Sequence, residues 1–582
     1  MNSCQLSNTR NLPLSLEAGC LQPRFSVADL AAWMVPQLIF WIGILRYAEL
    51  PGLYMDAVNP DYLVARALNP ELHNAVWVLP NAWIPLLGNL YHGVQNFYVG
   101  LPVIALLGPS VLSVRIAQAL FGAGIIWLLQ KVILRLTRDR VIAFLGATAL
   151  ACEIAFLASF RTQFYIILCG QFWLLSAIYM ISFPQDEERK ALWAFASGVC
   201  CSLAIYSYFV FCFFAPAFLI YVWRRHAESP WRIVRVWIAG GVVGLAPYAL
   251  GYASMAYALG GVSPMTEWLN GALTGLSPMS SKLGLIDGLR NAISNAAMAL
   301  NNAGNEQMIF GRVEVLTGLS FKVWALVIAG FCLPAVLSFG GRRGRQVSPV
   351  SDGDARAMPW LLLLPVSYVL IASLLGTRLW VHHFSILVPL VYLMGALSVS
   401  GLIRRIPLGT SGRPMAVHYL IAVLLSGALI GYNFHQQHRF FQKLESVGGA
   451  GLTSSALTLL ADEAMSQRET GVYLFPDWGF FMSFAVLTGN KVAYELEATP
   501  ENIRHKLDQQ KVVHIAFWKE RDIAKYAGMF AHDGRVSTAH LRKFYQRDGT
   551  VAFYLLSSAP ASEAVSLAET RGATSNESVK TK

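Results

Sequence analysis

The sequence predicts an α-helical polytopic membrane protein that carries a small C-terminal soluble α/β domain. Three observations support this fold class. First, 55% of the 582 residues are hydrophobic and 14% are charged, whereas soluble domains carry roughly 25% charged residues. Second, apolar stretches close to the ~20 residues that span a bilayer recur along most of the chain. Third, after residue 434 these stretches give way to short strand-like segments.

The apolar stretches define a transmembrane domain over residues 30–433. The first stretch follows a polar segment, residues 1–29, and has no Ala-x-Ala cleavage site, so we predict an uncleaved first span. The run from Ala191 to Trp223 is too long for one span, and we divide it at its Tyr-Ser-Tyr-Phe segment. We predict about eleven spans, which are centred on residues 30–48, 111–134, 141–159, 164–183, 191–206, 208–223, 234–254, 319–339, 358–376, 384–403 and 416–433.

Basic residues fall on alternate connections between these spans, which sets the expected orientation. The positive-inside rule places such connections in the cytoplasm. This distribution explains the net charge of +11 without nucleic-acid binding. We expect a bacterial cytoplasmic (inner) membrane protein with residues 1–29 inside. Two long loops, 49–110 and 255–318, and the C-terminal domain are then extracytoplasmic, on the periplasmic side.

The C-terminal segment has the pattern of an α/β domain over residues 434–557. Residues 499–510 read as a helix with Thr499 as its N-cap. Strands that alternate with helices favour a small α/β fold. The polar residues 558–582 read as a disordered tail. The predicted strands are 471–475, 491–496, 511–517 and 550–556.

Two carboxylates follow the first span, at Asp56 and Asp61. Charged groups close to hydrocarbon are costly and are retained mostly where they function. Asp61 follows Asn59 and Pro60, a pattern typical of a helix start, so a structural role fits it better. Asp56 lacks that explanation, and we interpret it as a general base that removes a proton from a hydroxyl.

A second group of polar side chains lies between two later spans, at Arg378, His382 and His383. Arginine and histidine hold an anionic phosphate through charge-assisted hydrogen bonds. The alternative is that Arg378 snorkels and that both histidines are interfacial. Arg161 is predicted on the same side of the membrane, as is His92.

One acid, Glu153, lies inside the third predicted span, roughly two helical turns from its outer end. An acid within the membrane needs a partner, and Arg115, near the outer end of the second span, is the candidate.

The first loop resembles that of the GT-C membrane glycosyltransferases, of the protein O-mannosyltransferase and aminoarabinose-transferase type (glycosyltransferase family 39-like). The similar stretch is GLYMDAVNPDYLVARAL, residues 52–68. Asp56 matches the first residue of the family's Asp-Glu pair, and Ala57 stands in place of the Glu. Tyr62 and the Ala-Arg-Ala-Leu segment match after an insertion that contains Asp61, so either aspartate remains a candidate base.

Further segments are similar to the same family. Residues 92–122 match through His92 and Arg115, but they lack the family's two prolines. Residues 159–165 are similar to its Ser-Arg-x-x-x-Tyr step, and residues 380–397 to its His-His/Tyr-x-x-x-Leu-Pro stretch. These matches cover residues 30–400 thinly, and their order carries the resemblance.

The resemblance implies a GT-C-like transmembrane domain that transfers a single sugar from a polyprenyl-phosphate donor to an acceptor hydroxyl, with inversion of the anomeric configuration. A loop aspartate removes the hydroxyl proton, and Arg378, His382, His383 and Arg161 bind the lipid phosphate, with His92, Tyr62, Arg115 and Glu153 in support. The partners are the donor, membrane lipids and a glycan, lipid or protein acceptor. The resemblance implies that no nucleotide is needed; some family members use a divalent metal, which is possible here but not favoured, because carboxylates are sparse.

Three alternatives remain. A lipid-linked sugar transporter or flippase places polar groups near the bilayer midplane, often in repeated halves, and this sequence has no internal repeat. A polysaccharide ligase or polymerase also uses long outer loops, and residues 287–306 have the spacing of an amphipathic interfacial helix. A non-enzymatic scaffold would use the aromatic segment 473–481, YLFPDWGFF, although a strand leading into a helix explains that segment better.

Overall fold

The computed structural model describes residues 27–58, 61–70, 84–183, 187–276, 283–313, 358–403, 414–531 and 539–558. These residues are mostly helical. The helices up to residue 447 are α1 Val27–Leu45, α2 Asp61–Leu68, α3 Gln95–Leu107, α4 Val111–Thr137, α5 Arg140–Ala151, α6 Ile154–Ser159, α7 Phe164–Leu168, α8 Gly170–Ile181, α9 Glu187–Ser207, α10 Ala215–Arg225, α11 Pro230–Gly244, α12 Ala246–Ala258, α13 Val262–Leu276, α14 Leu285–Leu300, α15 Ala303–Phe310, α16 Leu363–Ser373, α17 Leu387–Ile403 and α18 Pro414–Val447.

Five stretches in the described part of the chain are long and apolar enough to cross a membrane. Four more helices are apolar but shorter, including α1 and α5. The predicted span at residues 319–339 lies outside the described residues. The five long stretches are Val111–Thr137, Phe164–Ile181, Arg189–Ser207, Pro230–Ala258 and Val381–Gly401.

Several predicted spans are not single α-helices. The expected span 141–159 consists of α5 and α6, which meet at Glu153. The Glu153 carboxylate accepts a hydrogen bond from the Ala155 amide at 2.9 Å, so it caps the N-terminus of α6. The expected span 208–223 begins as a 3-10 helix, Phe209–Phe214, before α10.

Glycines bring α9 and α11 into close contact. A Cβ atom on Gly198 would lie 2.0 Å from the Trp237 carbonyl oxygen, and one on Gly240 would lie 2.1 Å from that of Phe195. In a membrane, where apolar burial gives helices no preference for each other over lipid, such close backbone approach drives packing.

Helix α14 covers most of residues 287–306, the segment that was expected to form an amphipathic helix. Its small residues pack against α16: Gly288, Ala292, Ala296 and Ala299 are buried, and a Cβ on Gly288 would meet the Ser373 carbonyl oxygen at 2.2 Å. Larger side chains at its start, such as Ile286, are exposed. The helix is therefore part of the bundle through its small-residue face.

The C-terminal domain follows α18, which continues to Val447 and so passes the predicted boundary at residue 434. Its elements are α19 Ala456–Ser466, β3 Gly471–Leu474, α20 Phe481–Leu487, β4 Ala493–Glu495, α21 Pro500–Asp508, β5 Val512–Phe517, α22 Ile523–Ala531, β6 His540–Tyr545 and β7 Val551–Ser557; strands β1 and β2, Leu87–Asn89 and His92–Gly93, come earlier in the chain. The sheet has the order β4-β3-β5-β7-β6, in which β3 pairs in parallel with β4 and β5, and β7 runs antiparallel to β5 and β6.

The four predicted strands and the capped helix of this domain are confirmed. The Thr499 hydroxyl accepts a hydrogen bond from the Asn502 amide at 3.2 Å, as an N-cap residue does. Strand β6 was not predicted.

Candidate active site

Asp56 lies in a 3-10 turn, Met55–Val58, that follows α1. Its half-buried carboxylate accepts a hydrogen bond from the Tyr54 hydroxyl at 2.7 Å. Burial raises the pKa of the Asp56 carboxyl, and the Tyr54 hydrogen bond offsets part of that rise. A carboxylate with a raised pKa is a stronger base than a solvated one, which suits proton removal.

The C-terminal domain holds this turn from one side. Helix α20 packs on it, and Met55 and Val58 share an apolar cluster with side chains of that domain, among them Phe481. Close backbone contact adds to the packing, because a Cβ on Gly52 would lie 2.3 Å from the Ser454 carbonyl oxygen.

Two asparagines also link the end of α2 to the C-terminal domain by hydrogen bonds. Asn69, after α2, donates to the Gly489 carbonyl oxygen at 2.7 Å, and Asn490 donates to the Asn69 carbonyl oxygen at 2.9 Å. Tyr62 lies in the shared apolar cluster and is buried, so its place is structural. Asp61 begins α2, but its side chain lies outside the described residues.

Two buried arginines hold the chain just before Asp56. Arg115 donates to the carbonyl oxygens of Pro51 and Phe160 at 2.9 and 3.0 Å. Arg161 donates to the carbonyl oxygens at the end of α1 and just beyond it, namely those of Gly43, Ile44, Arg46, Tyr47 and Leu50.

This arrangement corrects two expectations. The guanidinium of Arg161 is occupied by backbone carbonyls that α1 leaves without helical partners, so we withdraw it as a phosphate ligand. Arg115 and Glu153 were expected to pair, but Arg115 binds carbonyls, while Glu153 accepts from the Ala155 amide and from the Tyr392 hydroxyl.

The two neighbouring histidines lie in a 3-10 turn, Val381–Ile386, at the start of α17. His382 Nδ1 lies 3.2 Å from Gln163 Nε2. His383 Nδ1 accepts from the Trp380 amide at 3.0 Å, and its Nε2 lies 3.2 Å from the Tyr208 hydroxyl. The two imidazole rings are 4.1 Å apart between centroids.

Arg378 precedes these histidines and has an exposed side chain. It ends a 3-10 turn, Gly376–Arg378, which helix α14 supports. Asn291 donates to the Gly376 carbonyl oxygen and Asn295 to that of Leu379, each at 3.1 Å. The loop that carries Arg378 is therefore held in place by α14.

His92 is placed by a short hairpin, β1 Leu87–Asn89 and β2 His92–Gly93. The hairpin is tied to the bundle by the Tyr206 hydroxyl, which donates to the Leu86 carbonyl oxygen at 2.6 Å, and by the Tyr248 hydroxyl, which donates to that of Tyr91 at 2.8 Å. Burial lowers the pKa of His92 to about 4, so this ring is neutral at pH 7.

Two tyrosines that sequence reasoning missed connect Asp56 with the histidines. The ring of Tyr208 stacks on His92 at 5.6 Å and lies 5.4 Å from Tyr91 and 5.5 Å from His383. Burial raises the pKa of Tyr91, and the negative charge of Asp56 raises it further. The signal in the sequence was adjacency: Tyr91 precedes His92, and Tyr208 lies where we divided a long apolar run.

The site thus combines one carboxylate, a fixed pair of histidines and an exposed arginine nearby in the chain. In the described part of the chain, no three His, Cys, Asp or Glu side chains are placed to hold a metal ion. The available chemistry is proton removal by Asp56 and hydrogen bonding to an anion by His382 and Arg378. The prediction of His383 as a phosphate ligand is corrected, because Trp380 and Tyr208 already engage its two ring nitrogens.

The fold and site define a multi-pass membrane protein with a polar site at one end of its helices, closed by an α/β domain. Residues 97–252 match the family model described as dolichyl-phosphate-mannose-protein mannosyltransferase. This match confirms the resemblance to the GT-C glycosyltransferases over that segment and indicates a glycosyltransferase.

Solved structures with a similar course of the chain include ArnT from Cupriavidus metallidurans bound to undecaprenyl phosphate, at 11% identity and a TM-score of 0.49, covering 91% of this chain and 98% of that one. The Archaeoglobus fulgidus oligosaccharyltransferase in its apo form is 12% identical, with a TM-score of 0.45, and covers 86% of this chain and 71% of that one. No curated protein matches the sequence.

Proposed function

We propose that the protein is a glycosyltransferase that moves a single sugar from a polyprenyl-phosphate donor to an acceptor hydroxyl, with inversion, at the outer face of the bacterial cytoplasmic membrane. The observation that carries the proposal is Asp56: a half-buried carboxylate with a raised pKa, held in a turn between the helical bundle and the C-terminal domain. The family match supports the donor class, since dolichyl phosphate is a polyprenyl phosphate.

The chemistry balances with these residues alone. The acceptor oxygen forms a bond to the anomeric carbon while its proton passes to the Asp56 carboxylate. The bond between that carbon and the phosphate oxygen breaks, and its electron pair leaves with the lipid phosphate. Hydrogen bonds from His382 and Arg378 stabilise the negative charge that develops there.

The test begins with the acceptor and the sugar. Mass spectrometry of envelope glycolipids and glycoproteins, from cells with and without the protein, identifies the species that loses a sugar. Transfer is then measured in proteoliposomes, with a labelled polyprenyl-phosphate sugar of that identity as donor and membranes from cells without the protein as acceptor.

Asp56→Asn is expected to lower kcat about 10²–10⁴-fold, the usual contribution of a general base. Asp287→Asn is the matched control, because Asp287 is an exposed acid whose contact is with Arg290 on the same helix. Asp61→Asn is measured in parallel. Full activity of folded Asp56→Asn, or a comparable loss in Asp61→Asn alone, contradicts the assignment of the base.

A further inference from the structure

The carboxyl edge of the parallel strands in the C-terminal domain has the topology of a binding crevice. The chain passes from β3 to β4 on one side, and then to β5 on the other side of β3. The connection order therefore reverses between β3 and β5. In open α/β sheets, ligands bind outside the carboxyl ends of the strands at this switch point.

Two tryptophans and one acid occupy this position. Asp477 and Trp478 follow β3, and Trp518 follows β5. The Trp518 amide donates to the Asp477 carboxylate at 2.9 Å, and its indole N–H donates to the Trp478 carbonyl oxygen at 2.8 Å. These two bonds tie the loop after β3 to the end of β5 and fix the geometry of the edge.

The indole surfaces stay accessible in this fixed arrangement. Trp478 is 49% exposed, and Trp518 is half-buried with Phe480 stacked on it at 4.0 Å. Trp478 thus presents an exposed aromatic ring beside the switch point, an apolar surface of the kind that binds ligands. Asp477, also half-buried, places a hydrogen-bond acceptor next to Trp478 in the chain and against the Trp518 amide.

The chemistry of the edge matches a pyranose. One face of a sugar ring presents C–H bonds that pack on an indole, while its neighbouring hydroxyls donate to a carboxylate. A carboxylate at this edge also disfavours an anionic lipid headgroup, which sets the edge apart from an aromatic belt that anchors a protein at the membrane.

The edge is linked in space to the turn that carries Asp56, through helix α20 and through a shared apolar cluster against which Trp518 packs. Helix α20 begins at Phe481, three residues after Trp478, and packs on the turn that carries Asp56. We propose that Asp477, Trp478 and Trp518 form a saccharide-binding site that holds a sugar unit of the acceptor near Asp56. This inference rests on the proposed function, because it identifies the acceptor as a glycan or glycolipid.

The test measures saccharide binding by the full chain in nanodiscs, without any donor. The probes are hexasaccharides of glucose, of mannose and of N-acetylglucosamine, followed by saturation-transfer NMR and calorimetry. At least one is expected to bind. Trp478→Ala is expected to weaken its binding about tenfold, since an aromatic contact contributes on the order of 1 kcal/mol. Asp477→Asn, which keeps an oxygen for the Trp518 amide, is also expected to weaken it.

Trp231→Ala is the matched control, because Trp231 is 63% exposed but lies in α11, far along the chain from this edge. Its binding should equal that of the wild type. The inference is overturned if none of the three hexasaccharides binds, or if binding is unchanged in Trp478→Ala. It is also overturned if brominated lipids quench the tryptophan emission of the wild type more than that of Trp478→Ala in the nanodisc, which identifies a membrane anchor.

Failure of this inference and failure of the proposed function are distinguishable. Asp56→Asn should bind the hexasaccharide as the wild type does, because binding needs no proton removal. Sugar transfer without Trp478-dependent binding overturns the inference alone. Binding without any sugar transfer by the wild type overturns the proposed function.

Discussion

Arg161 and Arg115 provide a matched pair for testing how the loop before Asp56 is held. Both side chains are 1% exposed, yet Arg161 donates to five carbonyl oxygens and Arg115 to two. A lysine ammonium has three donors, against five in a guanidinium. Arg115→Lys can therefore keep both acceptors, whereas Arg161→Lys leaves at least two carbonyls without a donor.

Each hydrogen bond from a charged donor contributes about 1.5–3 kcal/mol. Arg161→Lys is thus expected to lose roughly 3–6 kcal/mol of unfolding free energy, a large part of the ~5–15 kcal/mol available to a folded protein. Arg115→Lys is expected to lose under about 2 kcal/mol. Denaturant unfolding of the purified chain in detergent measures both. Equal losses in the two variants would refute the carbonyl count as the reason for the difference.

Three further outcomes follow from the same contacts. Tyr54→Phe removes the hydrogen bond that lowers the pKa of Asp56, so the pKa of Asp56 rises further. Because the base must be ionised, activity is lost as pH falls through that pKa. The acid limb of kcat/KM should therefore move to higher pH. An unchanged limb would count against Asp56 as the base. Gly52→Ala places a Cβ 2.3 Å from the Ser454 carbonyl oxygen; limited proteolysis should then release the C-terminal domain faster than in Gly271→Ala, where nothing lies within 4 Å. Tyr208→Phe removes the hydroxyl beside His383 but keeps the ring; we expect a fall of about 10-fold in kcat, and wild-type kcat would show that this hydroxyl takes no part.

Much of the fold was predictable because hydropathy and strand patterns are local. The break between α5 and α6 was missed because a hydropathy window averages over one acid, and Glu153 acts there through a single cap bond. Strand β6 was missed because its sequence, His540–Tyr545, is rich in charged residues. It lies at the edge of the sheet, where charged side chains block pairing with other chains.

The candidate site was predictable only in part, for a different reason. Asp56, His382 and His383 stood out as ionisable groups at the ends of apolar runs. Tyr208 did not, because a tyrosine in an apolar segment looks like any packed aromatic until its neighbours are known. The roles of the arginines were misjudged for a related reason: the sequence shows a charge, but it does not show which carbonyls the end of α1 leaves without partners.

The position of Asp56 depends on two parts of the molecule that are distant in sequence. On the bundle side, Arg115 and Arg161 fix the carbonyls of Leu50 and Pro51, just before the turn. On the other side, α20 packs against the turn itself. A base must lie within hydrogen-bond reach of the proton it removes, and a shift of about 1 Å costs on the order of 10²-fold in rate. Under the proposed function, the C-terminal domain therefore forms one wall of the active site, and its sequence sets the position of the Asp56 carboxylate as much as the membrane helices do.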